Sequence, residues 1–289
     1  MHAGAKIKSV TERSHRRSAH PDAELAEKLQ KVLARGGLGS RRQWESWIEA
    51  GRVEVNGKAA HLGQRVTSSD RIRVDGRLFT AGTAPQQPRI LAYHKPVGEI
   101  CARHDPEGRP TVFERLPELA MGRWMSIGRL DFNTCGLLLF SNSGDLVHRL
   151  THPSTGIERE YAVRVVGTAS EDALKALSAG VMLDGRLARF TRISAAHGDG
   201  VNRWYRVVLE EGRNREVRRL WETQALKVNR LIRVRYADVT LPRSLPPGHW
   251  MELEGEVLHQ LFAAAGLGEE RSLHHQDVKR VSRRRGRRP

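Results

Sequence analysis

The stretch from Gly128 to Leu139 contains the residues best placed to do chemistry. It reads GRLDFNTCGLLL, so Arg129 and Asp131 lie two residues apart just before an apolar segment. That apolar segment predicts a buried strand over Gly136–Asn142. A carboxylate that directly precedes a buried strand is held by a rigid element, which suits a catalytic group. An aspartate that only stabilises a turn explains the same pattern equally well.

The hydrophobic pattern after Arg89 changes irregularly between strand-like and helix-like segments. The predicted strands are Ile90–His94, Gly136–Asn142, Tyr161–Val166, Trp204–Leu209 and Leu231–Tyr236. The predicted helices are Gly144–Thr151, Ser170–Ala179 and Asn214–Thr223. This order predicts an α+β domain with a mixed, mostly antiparallel sheet, because a doubly wound sheet would alternate strands and helices regularly.

A smaller module is predicted before this domain. A helix is expected from about Asp22 to the Gly36–Gly37 pair, and a second over Arg41–Ala50 with Ser40 as its N-cap. The Asn56–Gly57 pair, between short apolar alternations, predicts a hairpin. We therefore expect a module over 22–80, a linker over 81–88 and a larger domain over 89–257. Residues 1–21 and 258–289 are expected to be disordered basic tails.

The charge of the chain points to a polyanionic partner. The formal net charge is +16. Residues 1–21 hold five Lys or Arg against one acid and residues 269–289 hold eight against three, so the rest of the excess lies between the tails. Nucleic acid is the usual partner for such a balance. Two cysteines, Cys101 and Cys135, are too few for a disulfide framework, and no spacing suggests a metal site.

Neither a membrane span nor a signal peptide is indicated by the sequence. The longest apolar runs are far shorter than the roughly 18 residues that a span needs. The basic N-terminus lacks an apolar core of the kind that a secretory signal has. We therefore expect a soluble, cytosolic protein without membrane contact.

The stretch GRLDFNTCGLLLFSNSGDL, residues 128–146, resembles the signature of the RsuA-type ribosomal RNA pseudouridine synthases. Three further segments resemble motifs of that family, in the family's order: REYAVRV, EGRNREVRRL and RLIRVRY, at 159–165, 211–220 and 230–236. Segments 103–117 and 245–253 also fit, so the likeness runs from about residue 27 to residue 253. It is greatest to the family members that act on large-subunit rRNA.

The N-terminal module resembles an S4 RNA-binding domain through Leu29–Arg35, Gly39–Arg42 and Ile48–Gly57. The resemblance implies RNA contacts by Lys31, Arg41 and Arg42. The first amides of a Ser-capped helix and two guanidinium groups can converge on phosphates. The alternative is that these cations form only the solvated face of a small packing module.

The resemblance implies that a uridine is isomerised to pseudouridine with no cofactor and no metal. It makes Asp131 the essential carboxylate, which attacks C6 of uracil, attacks C1′ of the ribose, or abstracts the 2′ proton; these routes stay open. It makes Arg218 the cation that pairs with Asp131 and keeps it ionised. It makes Tyr161 the ring that stacks on the base, with a hydroxyl able to transfer a proton. Without the resemblance, Tyr161 is better explained as a core strand tyrosine, and Arg218 as a charge on the surface of a helix.

The remaining site residues are predicted to hold the RNA. Arg129 is placed to fill the gap left by a flipped-out uridine or to bind the neighbouring phosphate. We expect phosphate contacts from three residues at the start of a helix, Arg213, Asn214 and Arg215. We expect Leu231 and Ile232 to form an apolar wall of the pocket. The partner is then rRNA, and the protein is expected to act as a monomer.

Two other functions compete with this interpretation. The first is the same reaction on small-subunit rRNA. The second is a non-enzymatic S4-type RNA-binding protein, which explains the charge and the first 80 residues but not the larger domain and its ordered motifs. The second alternative requires no convergence of Asp131, Tyr161 and Arg218, whereas an enzyme must bring them into one cleft.

Overall fold

The computed structural model describes residues 26–37, 39–80, 88–196 and 201–267, and the chain separates into two compact units, Met1–Ala81 and Gly82–Pro289. The predicted N-terminal tail, all of the predicted linker except Pro88, and the end of the predicted C-terminal tail lie outside the described residues.

The first unit is a small α+β module. Its elements are β1 (Glu27–Lys28), α1 (Leu29–Arg35), α2 (Arg41–Glu49), β2 (Val53–Val55), β3 (Lys58–Ala59), β4 (Arg65–Val66), β5 (Ile72–Val74) and β6 (Arg77–Leu78). Four strands form an antiparallel sheet in the order β3-β2-β5-β6, and β1 pairs with β4. The core contains one face of each helix, where Leu29, Leu33, Trp44 and Ile48 are buried. Amphipathic helical spacing accounts for this packing.

The local signals of this module are confirmed, with one correction. The Ser40 side chain accepts a hydrogen bond from the Gln43 amide and caps α2 as predicted. Asn56 and Gly57 both have positive φ, as the hairpin turn between β2 and β3 requires. The first helix, however, begins at Leu29, and the expected start near Asp22 lies outside the described residues. The reason is that Glu27 and Lys28 form β1 and pair with β4, a contact distant in sequence.

The second unit is built on one large sheet. Its strands are β7 (Ile90–Lys95), β8 (Met125–Ile127), β9 (Cys135–Ser141), β10 (Arg159–Val166), β11 (Val181–Leu183), β12 (Arg186–Ala188), β13 (Arg192–Ala196), β14 (Asn202–Leu209), β15 (Val228–Tyr236), β16 (Val239–Thr240) and β17 (Trp250–Glu252). Its helices are α3 (Gly144–Thr151), α4 (Glu171–Ala179), α5 (Glu216–Glu222) and α6 (Gly255–Ala264), with a 3₁₀ turn over Pro153–Thr155.

Seven of these strands form the sheet in the order β13-β14-β10-β15-β9-β7-β17, while β16 pairs with β15 and β8 with β9. Strand β15 runs parallel to β9, and the other strand pairs of this sheet are antiparallel. The predicted α+β class with a mixed, mostly antiparallel sheet is therefore confirmed. Strands β11 and β12 form a separate hairpin.

Hydrophobic cores lie on both faces of the sheet. Along β9, Leu138 and Phe140 belong to one core and Leu137 and Leu139 to the other, because successive side chains in a strand point to opposite faces. Helices α4 and α5 pack on the first core, and α3 and α6 on the second. This explains why the segment before Asn142 is apolar throughout: β9 is covered on both sides.

The C-terminal boundary predicted at residue 257 is wrong. Helix α6 spans Gly255–Ala264, and Leu261 and Ala265 are buried in the second core. The packed part of this unit therefore reaches at least to residue 267, where the described residues end. No helix in the described ranges is long and apolar enough to cross a bilayer.

Candidate active site

A cavity of about 680 Å³ opens beside the segment that precedes β9. Its volume falls within the roughly 300–1,000 Å³ of typical ligand sites. Among its lining residues are six that the sequence singled out: Arg129, Asp131, Tyr161, Arg213, Arg215 and Leu231. Three other site residues predicted in this unit, Asn214, Arg218 and Ile232, are not part of the lining.

The loop that carries Asp131 is held through its backbone. Each carbonyl oxygen from Arg129 to Thr134 accepts a hydrogen bond. The donors are Arg233 Nη1 to Arg129 (3.5 Å), Cys101 Sγ to Leu130 (3.3 Å), the Thr134 amide to Asp131 (3.0 Å), the Gly98 amide to Phe132 (3.0 Å), Arg218 Nη2 to Asn133 (2.9 Å) and Lys95 Nζ to Thr134 (2.9 Å). Because six consecutive peptide groups are held in this way, the position of the carboxylate is preorganised.

Three of these donors are buried cations. Lys95, Arg218 and Arg233 are at most 7% exposed. Burial lowers the pKa of the Lys95 ammonium and of the Arg218 guanidinium, and in both cases the nearby charge of Asp131 opposes that shift. Asp131 therefore lies within electrostatic reach of two buried positive charges, although each of them directs its hydrogen bonds to backbone carbonyls.

The expected ion pair between Arg218 and Asp131 is not formed. The Arg218 guanidinium donates to the carbonyl oxygens of Asn133 (2.9 Å) and Val228 (3.1 Å), and no contact within 4.0 Å joins it to the Asp131 carboxylate. Its Nε is buried without a partner among the described residues. Arg218 lies on the buried side of α5 and contacts the Asp131 loop through the Asn133 carbonyl.

Strand register brings Tyr161 to the Asp131 loop. Tyr161 on β10 is opposite Arg233 on β15, and Arg233 is opposite Gly136 on β9. The two strands approach so closely at Gly136 that a Cβ atom there would lie 2.2 Å from the Arg233 carbonyl oxygen, and φ is +109°. Only glycine fits that position. Tyr161 is 8% exposed and lines the cavity.

Of the two residues predicted to form the apolar wall of the cavity, only Leu231 does so. Leu231 lines the cavity and is buried, whereas its neighbour Ile232 does not line it. The prediction for Ile232 is wrong because adjacent residues of a strand point to opposite faces of the sheet.

The start of α5 differs from the prediction. The helix begins at Glu216, and Arg215 is its N-cap with φ of +50°. Arg213 and Asn214 therefore precede the helix. Arg213 contacts Glu211 (2.5 Å) and the Leu187 carbonyl oxygen (2.9 Å), and its amide donates to Glu216. Arg213 thus joins the β11–β12 hairpin to α5 and is not a free phosphate ligand.

The cations left for an anionic ligand are Arg129, Arg215 and Arg186. All three line the cavity, and no ion pair involving their side chains is formed within the described part of the chain. All three are exposed. Arg186, on the β11–β12 hairpin, was not predicted.

Four other residues of the site were also not predicted. Lys95, Cys101 and Arg233 hold the Asp131 loop, and the buried Arg159 donates to the Ile157 carbonyl oxygen (2.6 Å) behind the cavity. Arg159 and Arg233 lie inside recognisable motifs, so the motif register could have found them. The only signal for Lys95 is a lysine at the end of an apolar strand.

The predicted RNA-binding residues of the first unit lie on α1 and α2. Arg41 and Arg42 are the first two residues of α2 and are exposed. Neither makes an ion pair with any residue that the structure describes. Lys31 lies on α1 and pairs with Glu27 at 3.0 Å.

Two segments of the chain match models of known protein families. Residues 89–223 match the family model described as RNA pseudouridylate synthase, and residues 27–72 match the S4 domain model. The protein named ribosomal large subunit pseudouridine synthase B in Salmonella typhimurium is 58% identical over 251 residues, 86% of each chain. The chain belongs to the RNA pseudouridylate synthase family. It is an isomerase, and the predicted combination of an S4 domain and a pseudouridine synthase fold is confirmed.

Other relatives of this synthase carry the same name. The Escherichia coli K12 protein is 58% identical over 233 residues, 80% of each chain, and the Haemophilus influenzae protein is 51% identical over 272 residues, 93% of this chain and 76% of its own. A crystal structure of a pseudouridylate synthase superposes with a TM-score of 0.57 at 27% identity, over 81% of this synthase and 99% of that chain.

Proposed function

We propose that this synthase converts a uridine of large-subunit ribosomal RNA to pseudouridine, with Asp131 as the essential carboxylate. The observation that carries the proposal is the Asp131 loop, in which six consecutive carbonyls are held while the side chain lines the same cavity as Tyr161 and Leu231. The substrate follows from the relatives at 51–58% identity, whose names specify the large subunit.

The reaction breaks the bond from N1 of uracil to C1′ and forms a bond from C5 to C1′. C5 loses a proton and N1 gains one, so no net oxidation occurs. Asp131 acts on C6, on C1′ or on the 2′ proton, and in each route it must be ionised and close to the nucleotide. The buried cations Lys95 and Arg218 lie within electrostatic reach of the Asp131 carboxylate.

Tyr161 and Leu231 are proposed to hold the uracil. The Tyr161 ring can stack on one face of the base, and its hydroxyl can pass on the proton that leaves C5. Leu231 offers the apolar contact that keeps water from the reacting atoms. Arg218 is a positioning residue in this scheme, because it acts on Asp131 through the Asn133 carbonyl.

A uridine in a helix reaches this cavity only after it flips out, at a cost of a few kcal/mol. We propose that Arg129 fills the gap or binds the adjacent phosphate, and that Arg215 and Arg186 bind further phosphates at the cavity rim.

The S4 unit, over 22–80 in the proposed division of the chain, holds the rRNA through Arg41 and Arg42 at the start of α2, with Lys31 beside them. The catalytic unit is proposed to extend from residue 89 to at least residue 267. We propose that the protein acts in the cytoplasm, together with its rRNA substrate.

The test is to map pseudouridines in both rRNA subunits from cells with and without this gene. We expect one large-subunit site to disappear and to return when the wild-type gene is restored. Loss of a small-subunit site would contradict the assigned substrate. Loss of no rRNA site would contradict the proposed function and favour an RNA-binding protein without this activity.

A further inference from the structure

An aromatic ring points outward next to the catalytic carboxylate. Phe132 follows Asp131 directly and is 41% exposed, although its neighbours Leu130 and Thr134 are buried. A single exposed hydrophobic residue is ordinary at a protein surface. What sets Phe132 apart is its place beside Asp131, on the loop whose carbonyls are all held.

The backbone of Phe132 is fixed by a neighbouring loop, which contains Gly98. Its carbonyl oxygen accepts a hydrogen bond from the Gly98 amide at 3.0 Å, and the next carbonyl, of Asn133, is held by Arg218. Val97, 55% exposed, precedes Gly98, so the loop that holds Phe132 exposes a second apolar side chain. A ring on a fixed backbone loses little conformational freedom when a ligand stacks on it.

The charges around the ring favour a base over a phosphate. The Arg109 guanidinium lies 5.9 Å from the centre of the Phe132 ring. It is bound by Asp105 at 2.8 Å and by Glu107 at 3.0 Å, so one positive charge is accompanied by two negative ones. This group does not attract a phosphate. Because the guanidinium lies over the ring, a flat, uncharged nucleobase would stack on the other face of the ring.

We propose that Phe132 is a stacking platform for the base of a nucleotide next to the target uridine. This inference rests on the proposed function. When the uridine flips out, its neighbour loses a stacking partner, and an aromatic side chain beside Asp131 replaces it. Stacking tolerates every base because each has a π-face. Removing the ring lowers affinity by about tenfold, within the range for base–aromatic stacking.

The test uses a synthetic RNA stem-loop that carries the uridine mapped in rRNA. The variants are Phe132→Ala, Phe132→Leu and Phe132→Tyr. Val166→Ala is the matched control, since Val166 is also 41% exposed but lies at the far end of β10 from Tyr161. We expect KM to rise about tenfold for Phe132→Ala and Phe132→Leu, with kcat within about threefold. Phe132→Tyr and the control should match wild type.

Abasic substitution of each flanking nucleotide identifies the stacked base. At one position the abasic RNA should raise the KM of wild type about tenfold and add less than about twofold in Phe132→Ala. Unchanged KM in Phe132→Ala, wild-type behaviour of Phe132→Leu, or no coupling at any position would overturn the platform. A wild-type protein that forms no pseudouridine would overturn the proposed function, and the platform with it.

Discussion

Replacing Arg218 should lower both stability and turnover, because this side chain supports the Asp131 loop from inside the fold. It is 7% exposed and donates to the carbonyl oxygens of Asn133 and Val228. Hydrogen bonds from a charged donor contribute about 1.5–3 kcal/mol each, so the pair contributes about 3–6 kcal/mol. Since removal of the guanidinium also relieves its desolvation, we expect Arg218→Ala to lose about 2–4 kcal/mol of unfolding free energy. The Tm should fall by roughly 4–16 °C.

The effect on turnover follows from the distance along the loop. Asn133 is two residues from Asp131, and a displacement of a reacting group by about 1 Å costs about 100-fold in rate. We expect kcat of Arg218→Ala to fall about 100-fold, with KM within about threefold. Arg218→Lys keeps the charge but replaces the planar guanidinium by a single ammonium, so its kcat should lie between those of wild type and Arg218→Ala.

The assay is steady-state turnover on an rRNA fragment at a temperature where circular dichroism shows each variant folded. Arg219→Ala and Arg215→Ala are the controls. Arg219 pairs with the exposed Asp184 at 2.7 Å, so its removal should change stability little, because solvent screens exposed ion pairs. Arg215→Ala should raise KM alone. An unchanged kcat in Arg218→Ala, or similar rises of KM in all three variants, would refute the positioning role of Arg218.

Three further outcomes are expected. Lys95→Met should lower kcat at least about tenfold with little change of KM, because the Thr134 carbonyl loses its donor; unchanged steady-state kinetics would contradict this. Burial raises the pKa of Glu216 above its usual value of 4.5. The folded state therefore keeps a proton that the unfolded state releases from about pH 4.5 upward, and the free energy of unfolding should fall as pH rises from there to the raised pKa. Glu216→Gln should lack this decline in denaturant titrations. Deleting 1–80 should leave a folded catalytic unit that binds rRNA more weakly and with a shallower salt dependence, by about 0.7–0.9 in log–log slope for each phosphate that the S4 unit would have neutralised.

The elements of the fold were largely accessible from the sequence because they depend on local signals. Ser40 caps α2, and α3 occupies the predicted Gly144–Thr151. The misses come from contacts distant in sequence. The first helix is shortened by the pairing of β1 with β4, and α6 forms because Leu261 enters a core built by other elements.

For the site too, the sequence predicts which residues belong to it better than it predicts what their side chains contact. The family resemblance predicts that Asp131, Tyr161 and Leu231 belong to one site, and the structure places all three in one cavity. It does not predict what a guanidinium will bind. Arg218 binds two carbonyls and Arg213 joins a hairpin to α5, because the atoms within reach are decided by tertiary packing.

The central claim is that the carboxylate of Asp131 does the chemistry, and Asp131→Asn tests it most directly. The substitution keeps the shape of the side chain and the held backbone but removes the negative charge. Pseudouridine formation on an rRNA fragment, measured under single-turnover conditions beside binding of the same RNA, should be undetectable while affinity stays within about twofold of wild type. Turnover within about tenfold of wild type would contradict the assignment of Asp131 as the essential group.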